Sequence, residues 1–152
     1  MRPPVSFFVS GHPKGQPRAR SRQFGKGVYD PGTADGWKAC VRADWKALGQ
    51  PAWEGPLKVS LIFYFARPAA HFGSGKNALN LKPTAPRWFE KKPDRDNLDK
   101  AVLDALTNAG AWADDCQAVA GSIRKLWAAP DCSPGVRISI SEAPDDFNPS
   151  DN

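Results

Sequence analysis

The chain has 152 residues, 41% of them hydrophobic and 11% aromatic, enough apolar material for one packed core and too much for a disordered tail. Its 21 Lys and Arg against 16 Asp and Glu give a net charge of +5, a modest excess whose meaning lies in where the charges fall. Three cysteines, Cys40, Cys116 and Cys132, have neither metal-ligand spacing nor the density of a disulfide framework, so they read as free thiols in a reducing compartment.

Met1-Arg2-Pro3-Pro4 and the short apolar run after it lack the h-region and cleavage site of a signal peptide, and no run of about 18 apolar residues follows. A soluble, cytoplasmic protein with no membrane segment is expected. Val5 to Ser10 reads as a first strand, closed by Gly11-His12-Pro13. Residues 11–32 form a basic loop rich in Gly, Pro, Arg and Ser, with a short extended piece around Val28-Tyr29. From Met1 to Lys26 there are six basic residues, Arg2, Lys14, Arg18, Arg20, Arg22 and Lys26, and no carboxylate. Such an arm suits phosphate contacts.

Thr33 or Asp35 can cap a helix over 36–48, with Trp37, Cys40, Val41, Trp45 and Leu48 at helical spacing and Gly49 as its stop. Leu57 to Phe65 alternates as a strand with one strongly apolar face. Residues 66–92 mix proline, glycine and basic residues without period and form a long loop. A second helix carries the stripe Leu98, Ala101, Val102, Ala105, Leu106 and Ala109 and ends at Gly110. Two more strands follow: Ala118 to Trp127, with Val119, Ile123 and Trp127 on one side, and Val136 to Ser141. Residues 142–152, with four acids and two prolines, form an acidic flexible tail. The expected fold is α/β: one small domain over 1–141, a mixed β-sheet packed against two main helices in the order β-α-β-α-β-β.

The chemistry concentrates around the second helix. Six aspartates, Asp94, Asp96, Asp99, Asp104, Asp114 and Asp115, lie between 94 and 115, opposed by Arg95 and Lys100. Asp96 can serve as N-cap with Asp99 as a weaker capping-box partner, which leaves Asp94 and the Asp114-Asp115 pair without a structural role. In an extended lead-in, Asp94 and Asp96 point to the same side. The chain after the helix has room to bring Asp114 or Asp115 back beside them. Converging carboxylates repel unless a cation sits among them, and hard oxygen ligands with open positions suit Mg²⁺ or Mn²⁺ working on a phosphodiester. Lys100 fits two roles, a support for the scissile phosphate or a surface partner of Asp96 or Asp104.

The string Asp94-x-Asp96-Asn97-Leu98-x-Lys100, the helix Ala101 to Leu106, and Gly110 to Asp114-Asp115-x-Gln117 closely resemble the RusA family of Holliday junction resolvases. The likeness extends to Pro13-Lys14-Gly15-Gln16-Pro17-Arg18, to Gly75-Lys76-Asn77 and to Lys82-Pro83-Thr84-Ala85-Pro86-Arg87. It implies a homodimeric, Mg²⁺-dependent endonuclease, with Mn²⁺ as a substitute, that resolves four-way DNA junctions by paired symmetric nicks. The family's catalytic and metal-binding aspartates map onto Asp94, Asp96 and Asp115, and its functional lysine onto Lys100. Lys14, Arg18, Arg20, Arg22, Lys76 and Arg87 are the expected DNA contacts. Two departures are Arg95, where an apolar residue is the family habit, and a longer 66–92 loop. The competing reading is a nucleic-acid-binding module without catalysis, which explains the basic arm and the six tryptophans but not aspartates gathered where phosphate must approach.

Overall fold

The computed structural model describes residues 1–17, 20–21, 28–29 and 34–146. Strand β1 (Val5–Ser10) is followed, inside the basic loop, by two antiparallel strands of two residues each, β2 (Arg20–Ser21) and β3 (Val28–Tyr29). Then come helix α1 (Asp35–Ala47), strand β4 (Leu57–Phe65), helix α2 (Arg95–Asn108) and strands β5 (Ala118–Ala120), β6 (Ile123–Trp127) and β7 (Gly135–Glu142). The main sheet is mixed, as expected: β1 pairs antiparallel with β7, β7 antiparallel with β4, and β4 parallel with both β5 and β6. Among the described residues no helix is long and apolar enough to cross a membrane.

Alternation in β4 sends Leu57, Val59, Leu61, Phe63 and Phe65 to one buried face, where α1 and α2 pack against the sheet and each other. Full burial of a Leu such as Leu98 or Leu106 contributes about 1.5–3 kcal/mol. The α1 stripe differs from expectation in one respect: Lys38 is buried with Trp37, Val41 and Trp45, while Cys40 and Leu48 are exposed. The helix is turned so that Lys38 reaches Asp104 on α2, in the one salt bridge among the described residues. Ala34 occupies the N-cap without a side-chain cap bond; Thr33 lies outside the described residues. Gly49 and Gly110 end their helices at φ 63° and 84°, conformations that cost glycine little.

The expected strand over 118–127 is two strands. Leu57 pairs with Ala118, but Lys58 pairs with Ala120 and Leu61 with Ile123, so Val119 is an extra residue, exposed rather than turned to the core. Gly121 follows at φ +133°, so near β4 that a Cβ would lie 1.8 Å from the Val59 oxygen. A bulge and a close backbone approach therefore break the strand. The 66–92 segment holds two 3-10 turns, Ala69–His71 and Gly75–Asn77. It then returns along the outer edge of β6, where Trp127 N–H donates to the Arg87 oxygen at 2.9 Å and Phe89 N–H to the Lys125 oxygen at 3.0 Å.

Candidate active site and its basic rim

Asp94 closes an extended approach (φ −68°, ψ 153°) and is the N-cap of α2, yet its carboxylate makes no cap hydrogen bond. Asp96, the expected cap, instead lies in the first helical turn. The two acids thus leave the chain from different backbone conformations, not from alternate positions of one extended lead-in. Asp96 and Lys100 are both exposed, on the face opposite the Leu98–Leu106 stripe, as the helical period requires.

Beyond α2, Ala111 and Trp112 are buried and the chain turns through a 3-10 turn at Asp115–Gln117. Asp114 caps that turn: its Oδ1 accepts from the Cys116 N–H at 2.9 Å, and Gln117 Oε1 accepts from the Asp114 N–H at 3.1 Å. Gln117 Nε2 also donates to the Gly55 oxygen at 3.0 Å, fixing the turn to the entry of β4. The backbone bond from Cys116, followed by the Cys116 thiol and Asp115, holds the Asp114 carboxyl below the usual range. The same acids push the Cys116 thiol up, first through its hydrogen bond to Asp114. Of the adjacent pair, Asp114 has a structural task, and Asp115 is the acid left for other work.

Asp99 is not a capping partner. It is half-buried beside Leu103, Val59 and the β5 backbone, and burial, with the charge of Asp115 second, pushes its carboxyl up. Asp96 and Asp99 are three apart on a helix and hence neighbours, so Asp96, Asp99 and Asp115 follow one edge of the molecule. Asp94 faces elsewhere, toward Lys125: burial lowers the Lys125 ammonium and Asp94 raises it. Among the described residues no three His, Cys, Asp or Glu side chains stand close enough to hold one metal ion.

The 13–17 segment is docked on the start of α2. Gln16 N–H donates to the Asn97 oxygen at 2.8 Å, and a Cβ on Gly15 would stand 3.1 Å from the Cβ atoms of Asn97 and Pro93. Lys38 Nζ, besides pairing with Asp104, donates to Gln16 Oε1 at 3.1 Å. Lys14 is thereby carried to a pocket that Lys91 and Lys92 also line. Lys76 is exposed in the Gly75–Asn77 turn, and Arg87 is exposed with its guanidinium 5.9 Å from the Trp88 ring centre. Arg20 belongs to β2, while Arg18 and Arg22 lie outside the described residues. Arg2, counted with the basic arm, serves the fold: it donates to the Pro51 and Ala52 oxygens at 2.8 and 3.1 Å and covers the Trp53 ring at 3.7 Å.

Sequence reasoning missed Lys38, Asp99 and Lys125. Each had a signal: Asp99 follows Leu98 and so borders the core stripe, Lys38 stands at the spacing of Val41 and Trp45, and Lys125 shares parity with Ile123 and Trp127.

Residues 10–141, most of the chain, match the sequence model of a family described as endodeoxyribonuclease RusA. Among individually curated proteins, none matches the chain.

Proposed function

The chain belongs to the RusA family of endodeoxyribonucleases and is a hydrolase that acts on DNA, in a family of metal-dependent nucleases that resolve Holliday junctions; from that premise we propose that it cuts four-way junctions by paired symmetric nicks, as a homodimer using Mg²⁺, with Mn²⁺ as a substitute. Asp94, Asp96 and Asp115, whose side chains are exposed, are the residues that would hold the ion. A divalent ion held there would polarise the phosphoryl oxygen and lower the proton affinity of the attacking water. Lys100, exposed one turn beyond Asp96, neutralises charge on the phosphate as the strand breaks. Lys14 on the docked 13–17 segment steadies the strand alongside.

The observation that carries this reading is the match of residues 10–141 to the RusA endodeoxyribonuclease family, with the carboxylates of Asp94, Asp96 and Asp115 all exposed. Burial first, and the charge of Asp115 second, push the Asp99 carboxyl up, so an acid of α2 and one of the 115–117 turn feel each other's charge, which a cation would offset. Donors that are all hard oxygens fit Mg²⁺ or Mn²⁺. The test is incubation of the protein with a synthetic four-way junction, in Mg²⁺, in Mn²⁺ and in EDTA. Paired nicks with either ion and none in EDTA are expected; junction binding without cleavage in every condition would favour the non-catalytic binding module.

A further inference from the structure

Between the 12–14 segment, the end of β4, Lys91–Pro93 and Trp127 lies a pocket of about 470 Å³, within the roughly 300–1,000 Å³ span of small-ligand sites. Its floor is aromatic: Phe65 and Phe89 stack at 3.7 Å with planes 8° apart, and Trp127 meets Phe89 edge-on at 4.7 Å. Its rim carries Lys14, Arg67, Lys91 and Lys92 without one carboxylate among the lining residues. Arg67 is committed to the fold through the Ala128 and Pro86 oxygens at 2.8 and 2.7 Å, and Lys125 supports the rim by donating to the Lys91 oxygen at 2.7 Å. The three lysines have no salt-bridge partner among the described residues. Beside the rim, the His71 imidazole packs edge-on against Trp127 at 4.7 Å, and burial first, then Arg67, Lys91 and Lys82, lowers its proton affinity.

An apolar floor under a cationic rim fits a ligand with a flat apolar body and an anionic end. Inorganic phosphate would leave the floor uncovered, and a base pair within a duplex cannot present one base to it. A single unpaired nucleotide satisfies both parts: base on the aromatic floor, phosphates on the lysines. Pro93 lines the pocket and Asp94 is the next residue, so a strand with a nucleotide seated here continues past the start of α2. Nucleotides at a branch point are the cheapest to unstack, because their stacking is already interrupted. We propose that this pocket receives one unpaired nucleotide of the strand to be cut, at the branch point, and so lets the enzyme distinguish a junction from plain duplex. The proposal rests on the junction-endonuclease reading above.

The probe is thymidine 3′,5′-bisphosphate, compared with deoxyribose 3′,5′-bisphosphate, which has the same phosphates and no base, both titrated into the full chain in EDTA and followed by NMR. The thymidine compound should bind at least about fivefold tighter, since base-on-aromatic stacking is worth that or more, and should shift the Trp127 indole and His71 ring signals. Lys92→Ala should weaken both probes. Phe89→Leu, which keeps apolar volume, should bring the thymidine compound to the affinity of the base-free one; the wild-type comparison of the two probes stands even where that variant folds poorly. Equal affinity of the two probes, or shifts confined to other parts of the molecule, overturns the nucleotide pocket. Junction cleavage is scored separately: cleavage with equal probe affinities sinks this proposal alone, and selective thymidine binding without cleavage sinks the endonuclease reading alone.

Discussion

Asp94, Asp96 and Asp115 differ from Asp114 in what their carboxylates already do. Asp114 caps a turn, whereas Asp94 is a helix N-cap whose side chain accepts no cap bond. Asp94→Asn, Asp96→Asn and Asp115→Asn each keep size and an oxygen while removing a charge that an ion needs. Junction cleavage should fall about a hundredfold or more, while junction affinity in chelator should hold or rise as repulsion toward phosphate drops. Asp114→Ala should behave in the opposite way, lowering the melting temperature slightly with the loss of its cap and keeping most of its cleavage rate. If the three Asn variants instead melt early and bind poorly, these carboxylates are structural. His71 contributes to the pH dependence near neutrality. Burial first, then Arg67, Lys91 and Lys82, lowers its proton affinity in the fold, so between its folded pKa and the usual 6.5 the unfolded chain binds more protons. Stability therefore rises with pH through that window and is lost as pH falls through it. The drop in melting temperature between pH 7 and pH 5 should shrink in His71→Gln, and an unchanged drop would remove His71 from the account.

Between elements, the contact that joins α1 to α2 is also the one that seats the 13–17 segment. Lys38 joins Asp104 and Gln16; Lys38→Met keeps the apolar stem and leaves both partners without their cation. The cost should be about 1–2 kcal/mol in urea unfolding, at the low end for a buried pair because 41% of the Asp104 side chain remains exposed. Junction affinity should fall as well, since Lys14 loses part of its mooring, and an unaltered affinity would confine Lys38 to a structural role. This pair shows where the sequence was readable. Both helices, the β4 strand and the β7 strand follow from period and punctuation, because an apolar stripe has few ways to be buried. Long-range pairing leaves no such local trace: a lysine on an apolar stripe gains its meaning from an aspartate 66 positions away. The positions of the acids on α2 and on the turn after it were legible, since that spacing is local, whereas the approach of Asp94 to Lys125 on β6 was not. The cap assignment slipped by two residues because Asp94 and Asp96 are both good cap residues by type.

For the molecule as a whole, two nicks related by the junction's two-fold symmetry are most simply made by a two-fold dimer, each subunit carrying one acidic edge. Light scattering should report about twice the chain mass of 16.5 kDa, and a monomer that still makes paired nicks would contradict the dimer. The basic arm acts at the same scale. Replacing Arg18, Arg20 and Arg22 with Ala should weaken junction binding and reduce the slope of log affinity against log salt by up to about three; an unchanged slope would make them ordinary solvated surface.

The extra residue at Val119 reaches further than its own exposed side chain. In the register that Leu57 and Ala118 begin, a strand that paired Val119 with Lys58 and ran on unbroken would set Lys125 opposite Tyr64 and Arg124 opposite Phe63, exchanging inside for outside along all of β6. With Val119 bulged out of the pairing, Lys125 pairs with Phe63, so its ammonium lies on the helix side, near Asp94 and the rim of the pocket. The 118–127 stretch thus keeps a reading frame. Were the bulge flattened and Val119 paired, a guanidinium would enter the core and the lysine would turn to the opposite face of the sheet, whereas deletion of Val119 would leave Ala120 opposite Lys58 and Lys125 opposite Phe63 in an unbulged strand.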